Sequence, residues 1–168
     1  PRDMFSCDTM LIWHMNPAYT LIPVFHYIPE ARYNGAKVVL ISPDVSPSHS
    51  HVDLHVPVQW GSDPALALAM CQVIIEEGLV DEDFVRTQTD LSLLVRTDTG
   101  RFLRASDLPA GGSEEQFFHL IGGEVTEADR GDLLLGREAA LDGSAVVTLA
   151  DSSTVVVHPL FVRLRTHL

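Results

Sequence analysis

Lys37-Val38-Val39-Leu40-Ile41-Ser42-Pro43-Asp44 is the stretch on which the fold turns. Its apolar run is rich in β-branched residues and shows no alternation, as expected of a central strand covered on both faces in a parallel sheet. It then stops in small, polar and acidic residues. The same grammar recurs on either side. Thr9 to Met15 reads as a short buried strand that Trp13-His14-Met15-Asn16-Pro17 brings to an end, because proline lacks a donor and restrains its predecessor. Val52, Leu54, Val56 and Val58 alternate as a half-buried strand, and Gly61-Ser62-Asp63 follows. Three consecutive strands ending in polar breaks build one edge of a parallel sheet, the place where such sheets bind nucleotides.

The segments between them read as helices. Leu21, Ile22, Val24, Phe25, Ile28 and Ala31 recur at helical spacing, with Pro29 expected to kink or divide the helix and Asn34-Gly35 to close it. Asp63-Pro64 predicts a helix start capped by the carboxylate, running to Glu77 with Gly78 as its stop, and Asp81 to Arg86 reads as a shorter helix. Beyond Gln88 the texture changes to short segments, Leu91 to Val95, Phe102 to Arg104 and Gln116 to Leu120, read as loop-rich and strand-poor. Val146 to Ala150 and Thr154 to His158 flank Asp151-Ser152-Ser153 as a hairpin, and Pro159 opens a last short helix. The expected fold class is α/β, a Rossmann-like parallel sheet flanked by helices, with a loop-rich second half ending in a β-hairpin and short helix. Residues 1–90 would form the nucleotide-cofactor-binding core, and residues 91–168 an extension packed on the same domain.

At 168 residues the chain is long enough for one well-cored domain, which buries roughly 70% of its unfolded surface. The net charge of −12 argues against nucleic acid as a partner, since phosphate neutralisation needs a basic face. No apolar run approaches the ~20 residues of a membrane span. Cys7 and Cys71 are the only cysteines, too few for a disulfide or metal framework. A start at Pro1 that leads straight into a buried strand points to a segment of something longer.

Taken singly, each polar break has a plain explanation, because turns need proline, serine and aspartate. Jointly, at consecutive strand ends, they form a candidate phosphate and base site. There is no G-x-G-x-x-G after the first strand and no G-x-x-x-x-G-K-[ST], so an ordinary NAD site or phosphate-gripping lysine is not supported. A second constellation is His49-x-His51-x-Asp53-x-His55, four metal-ligating residues that would share one face of an alternating strand. It is similar to the H-x-H-x-D-H signature of metallo-β-lactamases, with Leu54 intervening before the last histidine. The plainer reading, a polar solvent-facing side of an edge strand, is favoured, and a zinc metallohydrolase stands as the alternative. Trp13 and Trp60, each beside a break, are either core aromatics or ligand-flanking rings. A stand-alone interaction domain without a ligand is a third reading.

Trp13-His14-Met15-Asn16-Pro17, Glu30-Ala31-Arg32-Tyr33-Asn34-Gly35, Lys37 to Asp44, Val56-Pro57-Val58 and Gly61 to Ala67 together resemble the molybdopterin oxidoreductases of the dimethyl sulfoxide reductase family. The helix end and the Ser-Pro-Asp turn look most like the group of nitrate reductase alpha subunits, ethylbenzene dehydrogenase and dimethyl sulfide dehydrogenase. Phe84 to Leu91 and Asp98 to Arg104 extend the likeness to about two thirds of the chain.

The resemblance implies a domain that holds one molybdopterin guanine dinucleotide of a bis-MGD molybdenum cofactor. On it, His14, Asn16, Pro17 and Thr20 would lie by the pyrophosphate, Ser42, Pro43, Asp44 and Ser46 by the ribose and guanine, and Gly61, Ser62 and Asp63 against the guanine. His14 departs from the small residue common at its position. The resemblance further implies that the molybdenum ligand and any iron–sulfur cluster lie outside this chain, so that the segment alone would be inactive. It implies as partners the remaining domains of a catalytic subunit and an iron–sulfur electron-transfer subunit, on the periplasmic or cytoplasmic face of a bacterial or archaeal membrane.

Overall fold

A computed structural model describes residues 2–128 and 135–168 of the chain; Pro1, with which the chain begins, and residues 129–134 lie outside the described residues. The backbone separates into two units, Pro1–Ala67 and Leu68–Leu168.

The first unit is built on a three-stranded parallel sheet in the order β1-β2-β3, from β1 (Thr9–Trp13), β2 (Lys37–Ser42) and β3 (Leu54–Pro57). Thr9 pairs with Lys37 and Trp13 with Ile41, while Val39 pairs with Leu54 and Ser42 with Pro57. All three strands therefore point their carboxyl ends the same way, and β2 is central. Val38, Leu40 and Ile41 of β2 are buried, whereas β3 at the edge has no buried residue. Ile12, Ile28, Val38 and Leu40 form the core of this unit, with Met4, Met10, Phe25 and Val52 packed against it.

The β1–β2 connection departs from the expected kinked helix. It consists of α1 (Pro17–Thr20), α2 (Ile22–Phe25) and α3 (Tyr27–Tyr33). The breaks fall at Leu21, with φ −131°, and at His26, rather than at Pro29. Pro17, Pro23 and Pro29 each sit in the first turn of a helix, where the missing N–H has no intrahelical acceptor to lose, so proline starts these helices instead of bending one.

The β2–β3 connection carries a second departure. Pro47–His51 forms a 3-10 turn and β3 begins only at Leu54, so His49 and His51 are not strand residues and the shared face expected for His49, His51, Asp53 and His55 does not exist. Pro47 opens that turn as its first residue.

The helix α4 (Asp63–Glu76) starts at the predicted residue and ends one residue short of the predicted Glu77. Gly78 at φ +66° lets its own N–H reach Ile75 O and the Leu79 N–H reach Ile74 O, the paired bonds of a left-handed helix exit. No residue of this apolar helix is buried. A shorter helix, α5 (Glu82–Gln88), follows and is capped by the Asp81 carboxylate on the Phe84 N–H at 2.9 Å.

The second unit has more strand than its short segments implied. A sheet of order β4-β8-β7 joins β4 (Leu94–Arg96), β7 (Ala145–Thr148) and β8 (Thr154–Pro159), all antiparallel, and β5 (Phe117–Ile121) pairs with β6 (Glu124–Ala128). Gly122 and Gly123, at φ +60° and +89°, form the two-residue turn between β5 and β6. Phe102 to Arg104 makes only isolated bridges, to Val95 and Phe117. The core here is Leu94, Leu103, Ala105, Phe118, Leu120, Leu149, Val155 and Val157, and α6 (Leu160–His167) closes the chain. Among the described residues no helix is long and apolar enough to cross a membrane.

Candidate functional site

The carboxyl ends of β1 and β2 open into a cleft of about 170 Å³ lined by His14, Met15, Asn16, Ser42, Pro43, Asp44, Ser46 and Trp60. Parallel strands bring these ends together because β1 and β2 run in register, and the chain leaves each strand through a polar turn. Six residues expected at a cofactor therefore share one wall: His14, Asn16, Ser42, Pro43, Asp44 and Ser46.

Asn16 is held by Ser48, which donates its hydroxyl to Asn16 Oδ1 at 2.7 Å and accepts the Ala18 N–H at 3.1 Å. Ser48 is buried. With Oδ1 occupied, the Asn16 amide presents its NH₂ donors to any ligand. Ser42 is fixed by its own turn, donating Oγ–H to Asp44 O at 2.8 Å, and His55 Nε2 lies 3.1 Å from both Ser42 Oγ and Ser42 O. Two oxygens facing one ring nitrogen require the proton on Nε2.

The Asp44 carboxylate is exposed and, among the described residues, has no partner. Ser46 Oγ is buried and makes no hydrogen bond among the described residues. A buried hydroxyl without a partner costs about 1–3 kcal/mol, which a ligand's polar group would recover. Together with the free acceptor of Asp44 and the free donors of Asn16, this orphaned atom fits the residues of the cleft to the polar edge of a nucleotide. At about 170 Å³ the cleft is smaller than the ~300–1,000 Å³ that enclose a drug-sized ligand, so by itself it does not enclose one.

Asp63 does not cap α4 as its position predicts. Its Oδ1 accepts the Trp13 Nε1–H at 2.6 Å and lies 2.8 Å from His14 Nε2, so the carboxylate ties the helix start to the end of β1. His14 takes φ +47°, which turns its imidazole toward Asp63, and Trp60 meets that ring edge-on at 5.8 Å between centroids. Ser62 Oγ donates to Gln59 O at 2.8 Å and does not line the cleft, nor does Gly61. Pro17 is buried at the start of α1, and Thr20 donates its hydroxyl to Asn16 O at 2.9 Å. Pro17, Thr20, Gly61 and Ser62 thus shape the loops around the cleft instead of forming its wall.

Ser48 and His55 escaped the sequence reading as positioning residues. The one local signal for Ser48 is its place in a turn opened by Pro47, and His55 has none, because its role depends on strand register that only the fold sets.

The four-residue metal constellation is not assembled. Asp53 accepts the Val38 N–H at 2.8 Å through Oδ2 and Arg32 Nε at 2.9 Å through Oδ1, which fastens the start of β3 to β2 and α3. The Val38 N–H, then Arg32, holds its carboxyl below the usual carboxylate range. His51 packs on Phe25, and His49 on His55, each at 5.0 Å between centroids. Among the described residues no group of three His, Cys, Asp or Glu side chains is placed to hold a metal ion.

The molybdopterin oxidoreductase family profile matches residues 3–160. Over 115 residues, 68% of this chain, it is 47% identical to the dimethylsulfide dehydrogenase subunit alpha of Rhodovulum sulfidophilum, covering 13% of that protein. It is 48% identical over 116 residues, 69% of the chain, to the chlorate reductase subunit alpha of Ideonella dechloratans, again 13% of the relative. With the perchlorate reductase subunit alpha of Dechloromonas aromatica it shares 35% identity across 99% of its own length and 21% of the relative. The chain spans between 13 and 21% of the length of these three curated relatives. This 168-residue chain belongs to the molybdopterin oxidoreductase family.

Proposed function

We propose that this chain is a cofactor-binding segment of a molybdenum oxidoreductase, holding the guanine dinucleotide part of a molybdopterin cofactor on a Rossmann-like sheet. The observation that carries the reading is the cleft at the ends of β1 and β2, where the free Asn16 amide, the free Asp44 carboxylate and the orphaned Ser46 hydroxyl meet. When bound, the pterin–metal group supplies the redox chemistry, oxygen-atom transfer or hydroxylation. The chain's own residues bind and orient it.

In this reading the His14–Asn16 turn faces the pyrophosphate, with the Asn16 NH₂ as a donor. Ser42 and Ser46 face the ribose. Asp44 and the second oxygen of Asp63 accept N–H bonds from the guanine edge, where a carboxylate matches two donors. Oδ1 of Asp63 is fixed by Trp13 and His14, so the carboxylate is oriented before a ligand arrives. The exposed apolar surface of α4 supports a segment that works inside a larger subunit, since a helix apolar on all faces belongs in an interior. Partners on this reading are the other domains of that subunit and an iron–sulfur electron-transfer subunit, with any iron–sulfur cluster outside this chain.

Quantifying guanine released from the loaded protein tests the proposal. Asp44→Ala and Asp63→Ala should each lower guanine content per protein several-fold while the fold, read by circular dichroism, persists. Unchanged content in both would count decisively against it.

A further inference from the structure

We propose that the second unit binds a small organic anion, a phosphate or carboxylate carried on an apolar body, in a cavity between the turn after β4 and the start of α6. The cavity holds about 650 Å³, within the ~300–1,000 Å³ that enclose a drug-sized ligand. Arg96, Arg101 and Arg104 line it against two carboxylates, Asp107 and Glu114. Such a surplus of cations runs against the composition of the chain, which has 11 basic and 23 acidic side chains. Phe102 and Leu160 give the cavity apolar surface.

The three arginines are not equivalent. Val95 bridges Phe102, the Arg96 N–H donates to Arg101 O at 2.9 Å, and the Gly100 N–H donates to Arg96 O at 2.9 Å. The chain therefore doubles back and sets Arg101 directly across from Arg96, where like charges are destabilising unless neutralised. Arg96 is neutralised, because its guanidinium donates to Asp98 Oδ2 at 2.7 Å and to Asp107 Oδ1 at 2.9 Å. The other Asp107 oxygen accepts the Arg104 N–H at 3.0 Å, so this carboxylate is committed as well. Arg101 is exposed, and its guanidinium has no partner among the described residues. Arg104 lies over the Phe117 ring, 5.8 Å from its centroid, and meets Glu114 at 3.7 Å. That distance is too long for a hydrogen bond, and so loose a surface pair exchanges readily for a better acceptor. A ligand anion would take the free fork of Arg101 and replace Glu114 at Arg104, with Arg96 as the fixed frame. Planar guanidinium forks match the paired oxygens of phosphate and carboxylate.

Amide chemical shifts of the full chain titrated with phenyl phosphate, inorganic phosphate and phenol test the proposal. Phenyl phosphate should give saturable shifts at residues 99–104 and at Glu114, and should bind at least about fivefold more tightly than phosphate or phenol, which each lack one half of the match. Arg101→Gln and Arg104→Gln should each weaken it by roughly three- to tenfold, a charge-assisted bond discounted for exposure. Arg104 also packs on Phe117, so Arg104→Lys, which keeps the charge, should retain part of the binding. Glu114→Gln, which removes the competing carboxylate, should tighten binding by roughly two- to fivefold. Lys37→Gln, an equal change of charge in the first unit, should alter it by less than about twofold at physiological salt. No saturable shift at these residues, wild-type affinity in both Arg101→Gln and Arg104→Gln, or an equal loss in Lys37→Gln would overturn the site. Inorganic phosphate binding as tightly as phenyl phosphate would overturn the apolar half of the match.

Discussion

Ser48 donates its hydroxyl proton to the Asn16 side-chain oxygen at 2.7 Å, joining two turns that lie 32 residues apart in sequence. This bond connects the 3-10 turn after β2 to the turn after β1, and it decides which face of the Asn16 amide looks into the cleft. Ser48→Ala removes it and leaves the Ala18 N–H without its acceptor. The substitution should destabilise the first unit by about 1–3 kcal/mol, the cost of buried polar groups left unpaired. Chemical denaturation should show the shift, and Ser48→Thr, which keeps the hydroxyl, should recover part of it.

Asp53 ties β3 to its neighbours, and its carboxyl is lowered first by the Val38 N–H and then by Arg32. A depressed carboxyl stabilises the fold above its ordinary range and loses that contribution as pH falls through the folded value. Asp53→Asn should therefore be less stable than wild type at pH 7, with the gap closing on acidification below the usual carboxylate range. A gap that stays constant down to strongly acid pH would show that the charge of Asp53 contributes nothing.

His119 is buried in β5, and burial lowers its pKa, with the bond from Nδ1 to Ser92 O at 3.3 Å opposing the shift. The folded chain keeps this ring neutral where the unfolded chain takes a proton. Stability is then full above the unfolded value of about 6.5 and declines as pH falls from there toward the folded value, by up to about 1.4 kcal/mol per pH unit. A pH series of denaturation curves between pH 7 and 5 should show this slope in wild type and a shallower one in His119→Gln.

Legibility in the sequence followed how local the determining physics is. The strand Lys37 to Ile41 and the helix from Asp63 could be read directly, because an apolar β-branched run and an Asp-Pro start are local signals, and the Glu76 end came with Gly78. The division of the β1–β2 connection was not, since Pro23 and Pro29 read as breakers until the helices are seen to start on them. The β5–β6 hairpin was missed although Gly122-Gly123 is its turn, because the strand Glu124–Ala128 has polar residues at Glu124, Thr126 and Glu127 and little apolar pattern. At the site, the polar breaks after β1 and β2 converge as their order implied. What could not be read was how each carboxylate is used. Asp53 looks like a ligand in sequence and is a strand fastener. Asp63 looks like a helix cap and instead orients His14 and Trp13, because these pairings join residues 15 to 50 positions apart.

On the proposed function, the wall formed by the turns after β1 and β2 receives a guanine nucleotide. Amide chemical shifts of the full chain titrated with GDP test it most directly. Saturable shifts concentrated at His14, Asn16, Ser42, Asp44, Ser46 and Trp60 are expected, with weaker ones from ADP, whose base edge lacks the paired donors a carboxylate accepts. Shifts confined to the second unit, or equal responses to GDP and ADP, would contradict it.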